Sequence, residues 1–364
     1  MPTRREFLES AAIAAAGLPF LGCKREPGPP LAPDERIGFA LVGLGSLSTN
    51  QIAPALQKTA NCRLAAVVTG TPAKGVRWRA EYGLPESAVY HYDTMSRLVD
   101  NKDVQVVYVV TPNALHAEHT IKGLQAGKHV LCEKPMEVSV ERCQAMIDAA
   151  RQANRQLAIG YRCHFEPHHI EAVRLARQQV PGALQRVDGS FGFTIGDPTQ
   201  WRLRQALAGG GPLMDVGIYA LQTARMLTGA EPTSVSAQAT SGDPVKFAEV
   251  EESIALQLAF PGGVTATCAA SYARGMNGFT AYAAHGSFGM QPAYNYTGNH
   301  AWRSDGQAFQ FPEIDQFAAE MDDFAHYITI GTPTSVPGEE GLRDVRIMMA
   351  AYEAAKTGGA VNLA

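Results

Sequence analysis

The sequence predicts an α/β N-terminal domain with a doubly wound parallel sheet of the Rossmann type, followed by a C-terminal α+β domain on a mostly antiparallel open sheet. The chain has 364 residues, which is enough for two domains. As far as about residue 160, short apolar runs alternate with helical segments, a pattern typical of a parallel sheet. Beyond that point strand-like segments follow one another with few helices between them, which favours an antiparallel sheet.

Composition indicates an ordinary soluble globular protein. Hydrophobic residues make up 46% of the chain and the formal net charge is −4. At this charge we expect no nucleic-acid partner and no polybasic membrane surface. The 6 cysteines show no C-x-x-C or paired Cys/His spacing, so we expect most of them to be small buried residues and predict no disulfide framework and no metal site.

Residues 1–23 resemble an export signal. Thr3-Arg4-Arg5-Glu6-Phe7-Leu8 matches the twin-arginine pattern, and the apolar stretch at residues 11–21 is too short to span a bilayer. Leu21-Gly22-Cys23 is similar to a lipoprotein cleavage site, which makes Cys23 a candidate lipid anchor. The alternative is a disordered tail. We predict export to the periplasm, a Pro-rich linker at residues 24–35, a first domain at 36–158 and a second at 159–364.

The first element of the folded chain is a buried strand at Ile37–Val42, followed by Gly43-Leu44-Gly45 and a helix that opens at Ser46 and Leu47. A strand that runs into Gly-x-Gly at a helix start is the dinucleotide-binding fingerprint. The glycines permit a tight turn and let a pyrophosphate approach free N–H groups. Ser48 stands where glycine or alanine is usual. The alternative is any tight strand-to-helix turn.

The second strand, at residues 62–69, ends without an acidic residue. Rossmann proteins that prefer NAD usually carry Asp or Glu there, on the ribose 2′-hydroxyl. Thr69 and Gly70 take that place, so no carboxylate repels a 2′-phosphate, and Lys74 follows in the first turn of a helix that begins at Thr71-Pro72. A solvated helix face would also account for Lys74. We predict that Thr69 and Lys74 hold the 2′-phosphate of NADP.

The remaining loops of the first domain lie at the carboxyl end of the predicted sheet, where ligands of open α/β folds bind. A strand at residues 103–110 ends in Thr111-Pro112-Asn113, before a helix at 114–126 that carries His116. His116 is either a ligand group or a helix-surface residue. A strand at 129–132 ends in Glu133-Lys134-Pro135, where the Lys-Pro bond is a candidate for the cis form. A helix at Val140–Ala153 and a strand at 156–160 complete the domain.

The second domain is predicted from successive strands with alternating polar and apolar residues. We expect them at residues 185–194, 235–240, 249–260, 263–272 and 280–285. A helix at 212–227 follows Gly209-Gly210-Gly211, and an apolar-periodic helix at Gly338–Thr357 comes near the end of the chain. The pattern assigns this last helix to neither domain.

Lys134, Asp215 and Tyr219 are the candidate catalytic residues. Lys134 leaves a Rossmann strand beside the expected nicotinamide, although a lysine that simply points to solvent fits the same place. Asp215 and Tyr219 share one helix face, where the alternatives are dipole compensation for the aspartate and core packing for the tyrosine. Gly217 between them costs about 1 kcal/mol relative to alanine, which favours close approach of another group.

Oxidation of a carbinol by hydride transfer needs a base for the hydroxyl proton. Tyrosine, with an ordinary pKa of about 10, serves as one only when a cation stabilises its phenolate. We predict that Tyr219 is the base and Lys134 the cation, and that Asp215 orients the sugar hydroxyl or the lysine.

Together these motifs resemble the Gfo/Idh/MocA oxidoreductases, and within that family the periplasmic glucose–fructose oxidoreductase subgroup. The resemblance covers residues 36–361. Most members have Asp-x-x-x-His, whereas this chain has Tyr219 at the histidine position, as in the subgroup. Further similar stretches are Ala126-Gly127-Lys128-His129-Val130, Gly160-Tyr161-Arg162-Cys163-His164, Trp201-Arg202-Leu203-Arg204 and Pro337-Gly338-Glu339-Glu340-Gly341.

The resemblance implies roles for particular residues. Lys134, Asp215 and Tyr219 would be catalytic, and Tyr161 would lie beside the nicotinamide and the substrate. It also implies a tightly bound NADP, sugar substrates and a homo-oligomer formed through the C-terminal sheet. The implied cofactor-binding residues are Gly43, Leu44, Gly45, Ser46, Leu47, Thr69, Gly70, Lys74, Thr111, Pro112, Asn113, His116, Glu133, Lys134, Tyr161, Arg162, Trp201 and Arg202.

The function expected from the sequence is an NADP-dependent sugar oxidoreductase that oxidises an aldose to an aldonolactone and reduces a second sugar with a retained cofactor. One alternative is an NAD(P)-dependent glycosidase of the same family, and another is an ordinary sugar dehydrogenase with an exchangeable cofactor. A third is a binding protein that lost its activity. The presence of Lys134, Asp215 and Tyr219 argues against the third.

Overall fold

The computed structural model describes residues 31–32, 35–307 and 309–363. The predicted export signal at residues 1–23, the candidate lipid anchor at Cys23 and most of the linker at 24–35 lie outside the described residues. Within the described part of the chain no helix is long and apolar enough to cross a membrane.

The first sheet is parallel and has six described strands in the order β3-β2-β1-β4-β5-β6, which confirms the predicted doubly wound domain. Strand β1 pairs with β2 on one side and β4 on the other, so the strand order reverses beside β1 and opens a crevice at the carboxyl ends of these strands. The strands are β1 Ile37–Val42, β2 Cys62–Val68, β3 Val89–Tyr90, β4 Val106–Val109, β5 His129–Glu133 and β6 Leu157–Gly160.

Helices cover both faces of this sheet, and the predicted helix at Val140–Ala153 has the predicted bounds. The helix begins at Ser46 and Leu47, as expected, and continues as a π-helical turn at Ser48–Ile52. Pro54, which has no N–H, follows directly in the next turn. The α-helices of this half are α1 Ala53–Leu56, α2 Pro72–Tyr82, α3 His116–Gln125 and α4 Val140–Ala153.

The second sheet has eight described strands in the order β13-β12-β11-β7-β10-β9-β8-β14. Only the pair β7–β10 is parallel among its described strand pairs, so the predicted mostly antiparallel sheet is confirmed. The strands are β7 Leu184–Gly192, β8 Ser234–Thr240, β9 Ser253–Ala259, β10 Thr265–Ser271, β11 Met276–Ala283, β12 Gly286–Met290, β13 Ala301–Arg303 and β14 Val361–Asn362.

Three helices of the described second half are absent from the sequence prediction, and the two longer ones are capped by an acidic side chain. Glu166 accepts a hydrogen bond from the N–H of His169 at the start of one, and Asp315 accepts from Phe317 and Ala318 at the start of the other. The helices are α5 Pro167–Arg177, α6 Gln205–Ala208, α7 Ile218–Thr228, α8 Gln316–Ile330 and α9 Gly338–Thr357. A π-helical segment, Leu213–Gly217, leads directly into α7.

The last two helices join the halves of the molecule. Phe317, Met321 and Phe324 of α8 pack with Phe39 and Leu41 of β1, so α8 covers one face of the Rossmann sheet. This placement fills a helix layer of the first domain with a segment from the end of the chain.

Helix α9 answers the question that the sequence left open, because it packs on both domains. A Cβ at Gly341 would lie 2.7 Å from the Met136 side chain, so the helix backbone approaches the first domain closely. Toward the second domain, Asp344 accepts a hydrogen bond from the buried guanidinium of Arg225 on α7 at 2.7 Å. The cysteines that the structure describes are buried free thiols, as the sequence predicts for most of them. They are Cys62, Cys132, Cys143, Cys163 and Cys268.

Candidate active site

A groove runs along the carboxyl ends of β1, β2, β4 and β5, where the strand order reverses. It is lined by sixteen of the predicted cofactor-binding residues: Gly43, Leu44, Gly45, Ser46, Leu47, Thr69, Gly70, Lys74, Thr111, Pro112, Asn113, His116, Glu133, Lys134, Trp201 and Arg202. The parallel strands bring the segments of the first domain to one edge of the sheet, as the sequence predicts, and Trp201 and Arg202 reach the groove from the second half of the chain.

The two glycines of the turn have different surroundings. Gly43 has φ +93°, and a Cβ there would lie 2.7 Å from the carbonyl oxygen of Val110, so only glycine fits. A Cβ at Gly45 would meet no described atom within 4 Å, so this residue faces the open groove. Ser48, the departure from the usual small residue, donates its hydroxyl hydrogen to the carbonyl oxygen of Gly43 and closes the turn.

At the end of β2 the groove is lined by Thr69, Gly70, Thr71 and Lys74, with the Tyr92 ring beside them. None of these residues is acidic. Thr69 is buried, and its hydroxyl accepts a hydrogen bond from the N–H of Thr71 at 3.2 Å. The segment after β2 therefore brings a lysine and no acidic side chain to the lining of the groove.

His116 is buried and links two loops of the groove. Its Nε2 lies 2.8 Å from the carbonyl oxygen of Thr111, and its Nδ1 lies 2.9 Å from that of Pro135. Burial lowers the pKa of His116. The histidine thus holds the strand-end loops of β4 and β5 together, and the Lys134–Pro135 bond in the second loop is cis, as expected.

A second cavity of about 740 Å³ continues from the groove toward the antiparallel sheet. Both spaces are lined by Lys134, Asp215, Arg202 and Glu133. The second cavity also contains Tyr219 and aromatic side chains from several elements, and its size is typical of a small-molecule site. Its aromatic lining comprises Phe191, Phe193, Tyr219, Tyr294, Tyr296 and Phe317.

Lys134 and Asp215 meet where the two spaces join. The Lys134 ammonium donates to the carbonyl oxygen of Asp215 at 2.7 Å and lies 3.7 Å from its Oδ1. Asp215 Oδ2 accepts from Arg202 Nε at 2.9 Å and from the Tyr272 hydroxyl at 3.0 Å. Burial acts to raise the pKa of Asp215, but the charges of Arg202 and Lys134 outweigh it and hold this pKa below its usual value. Asp215 is therefore an ionised carboxylate.

The cation that reaches the Tyr219 hydroxyl is Arg162, not Lys134. Arg162 Nε donates to the Tyr219 hydroxyl oxygen at 3.1 Å, whereas the Lys134 ammonium lies over the ring, 4.9 Å from its centre. Arg162 is buried and lines the second cavity but not the cofactor groove, unlike the sequence prediction. Burial raises the pKa of Tyr219, and the Arg162 charge opposes this rise.

Arg162 is held by groups that the sequence did not indicate. Its guanidinium donates to the carbonyl oxygens of Tyr294 at 2.7 Å and Asn295 at 3.2 Å, and to the side-chain oxygen of Gln316. Gln316 lies in the first turn of α8, a helix absent from the prediction, so the predicted site did not include this residue. A local signal that could have indicated α8 is Asp315, an acidic residue that caps the start of this helix.

Tyr161, predicted to lie beside the nicotinamide, lines neither cavity. Its hydroxyl donates to Asp344 of α9 at 2.5 Å, and the side chain is buried. Tyr161 therefore fastens the end of β6 to the last helix. Its predicted contact with cofactor or substrate has no support in this geometry.

The triple glycine sets the start of the segment that carries Asp215 and Tyr219. A Cβ at Gly210 would lie 2.0 Å from the Tyr352 hydroxyl oxygen, and one at Gly211 would lie 2.3 Å from the carbonyl oxygen of Glu251. The Glu251 carboxylate accepts from the N–H of Gly211 at 2.8 Å and from the Tyr352 hydroxyl at 2.9 Å. Because Tyr352 and the Glu251 backbone lie this close, only glycine fits at positions 210 and 211.

Comparison with known proteins agrees with this architecture. A family model described as "Oxidoreductase family, NAD-binding Rossmann fold" matches residues 37–161, and the "GFO/IDH/MocA C-terminal domain" model matches residues 169–291. The two matches cover the Rossmann sheet and most of the antiparallel sheet.

Similar proteins act on sugars according to their names. The chain is 32% identical to a D-xylose 1-dehydrogenase [NADP(+)] of Haloarcula marismortui over 91% of this chain and 94% of the relative. It is 28% identical to D-xylose 1-dehydrogenase (NADP(+)) 2 of Haloferax volcanii over 89% of this chain and 99% of the relative. A crystal structure of aldose-aldose oxidoreductase from Caulobacter crescentus, complexed with glycerol, is 43% identical with a TM-score of 0.87, covering 90% of this chain and 100% of that one.

Proposed function

The chain belongs to the Gfo/Idh/MocA oxidoreductase family, and from that premise we propose that it is an NADP-dependent sugar oxidoreductase. It oxidises an aldose at the anomeric carbon to an aldonolactone and reduces a second sugar with the same bound cofactor. One observation carries the proposal. The Tyr219 hydroxyl, held by Arg162, lines a cavity that joins the dinucleotide groove at Lys134 and Asp215.

The groove fits a phosphorylated dinucleotide. Gly43 and Gly45 leave space at the start of a helix for the pyrophosphate, and Thr69 with Lys74 would hold the 2′-phosphate. The NADP-dependent relatives support this choice of cofactor. When bound, the nicotinamide supplies a site that accepts and returns a hydride.

The residues of the chain supply acid–base chemistry and orientation. Tyr219 takes the proton of the anomeric hydroxyl during oxidation and returns a proton to the carbonyl oxygen of the second sugar during reduction. Arg162 stabilises the phenolate that forms, because its Nε donates directly to the phenolic oxygen. Lys134 and Asp215 form a charged pair at the mouth of the second cavity, where they orient a sugar hydroxyl.

Retention of the cofactor is supported by the predicted export signal. The twin-arginine route carries folded proteins, so an exported Rossmann enzyme can take its nucleotide along. Outside the cytoplasm there is no sizeable NADP pool for exchange, and electrons taken from one sugar must leave with another. The aldose loses two electrons as it becomes a lactone, and a ketose or second aldose gains them as it becomes an alditol.

Absorbance spectroscopy of the purified protein, with no added cofactor, tests this function. An aldose should make the absorbance of reduced nicotinamide appear, and a second sugar should remove it. Protein that turns over only with excess free NADP would identify an ordinary dehydrogenase instead. Hydrolysis of nitrophenyl glycosides without net oxidation would identify a glycosidase.

We also propose a periplasmic location and a homo-oligomer. The C-terminal sheet alternates buried and exposed residues along β9, so one of its faces is not covered by the described residues and is suited to a second copy. Fractionation of cells would test the location and whether Cys23 carries a lipid, and light scattering would measure the oligomeric state.

A further inference from the structure

A buried group of two glutamates and a tyrosine adjoins the cofactor groove. The Tyr108 hydroxyl is 2.8 Å from Glu133 Oε1 and 3.0 Å from Glu320 Oε1, and all three side chains are buried. Tyr108 comes from β4, Glu133 from the end of β5, and Glu320 from α8. Glu133 lines both the cofactor groove and the second cavity, so the group touches the site through this residue.

The two short contacts of the Tyr108 hydroxyl show where hydrogen atoms are needed in this group. A tyrosine hydroxyl has one hydrogen and can donate to only one carboxylate at a time, whereas an ionised carboxylate has no hydrogen to donate. Two ionised carboxylates around one hydroxyl would leave a 3.0 Å contact between oxygen lone pairs with no hydrogen between them. One of the two carboxyl groups must therefore carry a hydrogen and donate it to Tyr108.

The surroundings decide which carboxyl is neutral. Burial raises the pKa of Glu133, but the nearby Lys134 and Arg162 charges and the hydrogen bond from Tyr108 oppose this rise. Glu133 Oε2 also accepts the N–H of Lys134 at 3.3 Å. Glu320 Oε2 is buried and has no hydrogen-bond partner among the described residues, which is costly for a carboxylate and much less so for the carbonyl oxygen of an acid. The groups that act on Glu320 are Glu133, Tyr108, Arg162 and Cys163.

We propose that Glu320 is a neutral carboxylic acid that donates to Tyr108, that Tyr108 in turn donates to an ionised Glu133, and that Glu320 and Tyr108 are positioning residues for the Glu133–Lys134 turn. Burial and the nearby Glu133 charge raise the pKa of Glu320 well above its usual value, which agrees with this direction of donation. Lys134 follows Glu133 directly in the chain. Holding the Glu133 side chain in place therefore restricts the position of the Lys134 backbone, from which the side chain with its ammonium extends. The positioning role rests on the proposed function, whereas the protonation state does not.

Infrared difference spectra between the wild type and Glu320→Gln test the protonation state without any sugar. The wild type should show the carbonyl stretch of a buried, protonated carboxylic acid, shifted in D2O and absent from the variant. A spectrum in which the variant loses only ionised-carboxylate bands would overturn the assignment. This measurement stands even if the proposed sugar reaction is wrong.

The pH profile of sugar oxidation tests the positioning role. Glutamine resembles the neutral acid, so Glu320→Gln should shift the acid limb of the pH profile by less than about 0.3 pH unit relative to the wild type. A shift of ~1 unit would correspond to a ten-fold change in the protonation equilibrium. Tyr108→Phe removes the donor to Glu133, which should then take up a proton at higher pH and move the acid limb upward. An equal shift in both variants, or no shift in either, would refute the chain of donation. Glu320→Leu should reproduce the Tyr108→Phe shift, and if it fails to fold the first two variants still decide.

Discussion

Replacing Tyr219 by phenylalanine tests the central assignment. The hydroxyl accepts a hydrogen bond from Arg162 Nε at 3.1 Å, and the ring packs against Phe191 and Tyr294, so the change removes one oxygen and keeps the packing. General-base help is worth ~10²–10⁴-fold, or about 3 to 5 kcal/mol of transition-state stabilisation. Leaving the buried Arg162 donor unpaired should cost a further ~1–3 kcal/mol of folding stability.

The assay is the rate at which an aldose reduces the bound nicotinamide, with cofactor content measured separately. Tyr294→Phe is the matched control. It removes a hydroxyl from the same aromatic cluster, one that contacts Thr223 at 3.1 Å and not Arg162. The control should lose stability but keep its rate within a few-fold. A Tyr219→Phe protein that keeps its cofactor and oxidises aldoses at nearly the wild-type rate would refute the assignment.

The pH dependence gives an independent check. Burial raises the pKa of Tyr219 above its usual value, opposed by Arg162, so the residue is protonated at neutral pH. Oxidation needs the phenolate, so its rate should rise about tenfold per pH unit through the neutral range. Reduction uses the protonated hydroxyl and should stay flat. A rate of oxidation that is independent of pH would contradict a tyrosine base.

Three further predictions concern the groove and its supports. Thr69→Asp should weaken NADP binding and favour NAD, since it adds a carboxylate beside the 2′-phosphate position; equal wild-type affinity for both cofactors in a fluorescence titration would contradict the phosphate site. Lys134→Ala should lower the oxidation rate about as far as Tyr219→Phe, because it removes the ammonium beside Asp215, and activity close to wild type would exclude that role. Gly210→Ala should lower the urea-unfolding free energy by ~1–3 kcal/mol, because the new Cβ would lie 2.0 Å from the Tyr352 hydroxyl; Gly196→Ala, where a Cβ meets no described atom within 4 Å, is the control.

The sequence by itself determined the Rossmann half and the order of its loops. Strands, glycine turns and helix starts are local features, so the run from Ile37 to Gly45 and the helix at Val140–Ala153 could be predicted from neighbouring residues. A parallel sheet then brings the carboxyl ends of its strands to one edge. For that reason Thr69, Asn113 and Lys134 could be assigned to one groove from the sequence alone.

Only the tertiary structure decided which polar side chains from distant parts of the chain lie in contact. Arg162 and Tyr219 are 57 residues apart, and Tyr108 and Glu320 are 212 apart, so no periodic pattern links them. Their contacts depend on how the second sheet and α8 dock on the first domain. The sequence therefore predicted Tyr219 as the base with Lys134 as its cation, whereas in the structure the cation at the Tyr219 hydroxyl is Arg162. Arg162 takes that place because α8 and the loop at Tyr294 supply the acceptors that hold its guanidinium against the phenolic oxygen.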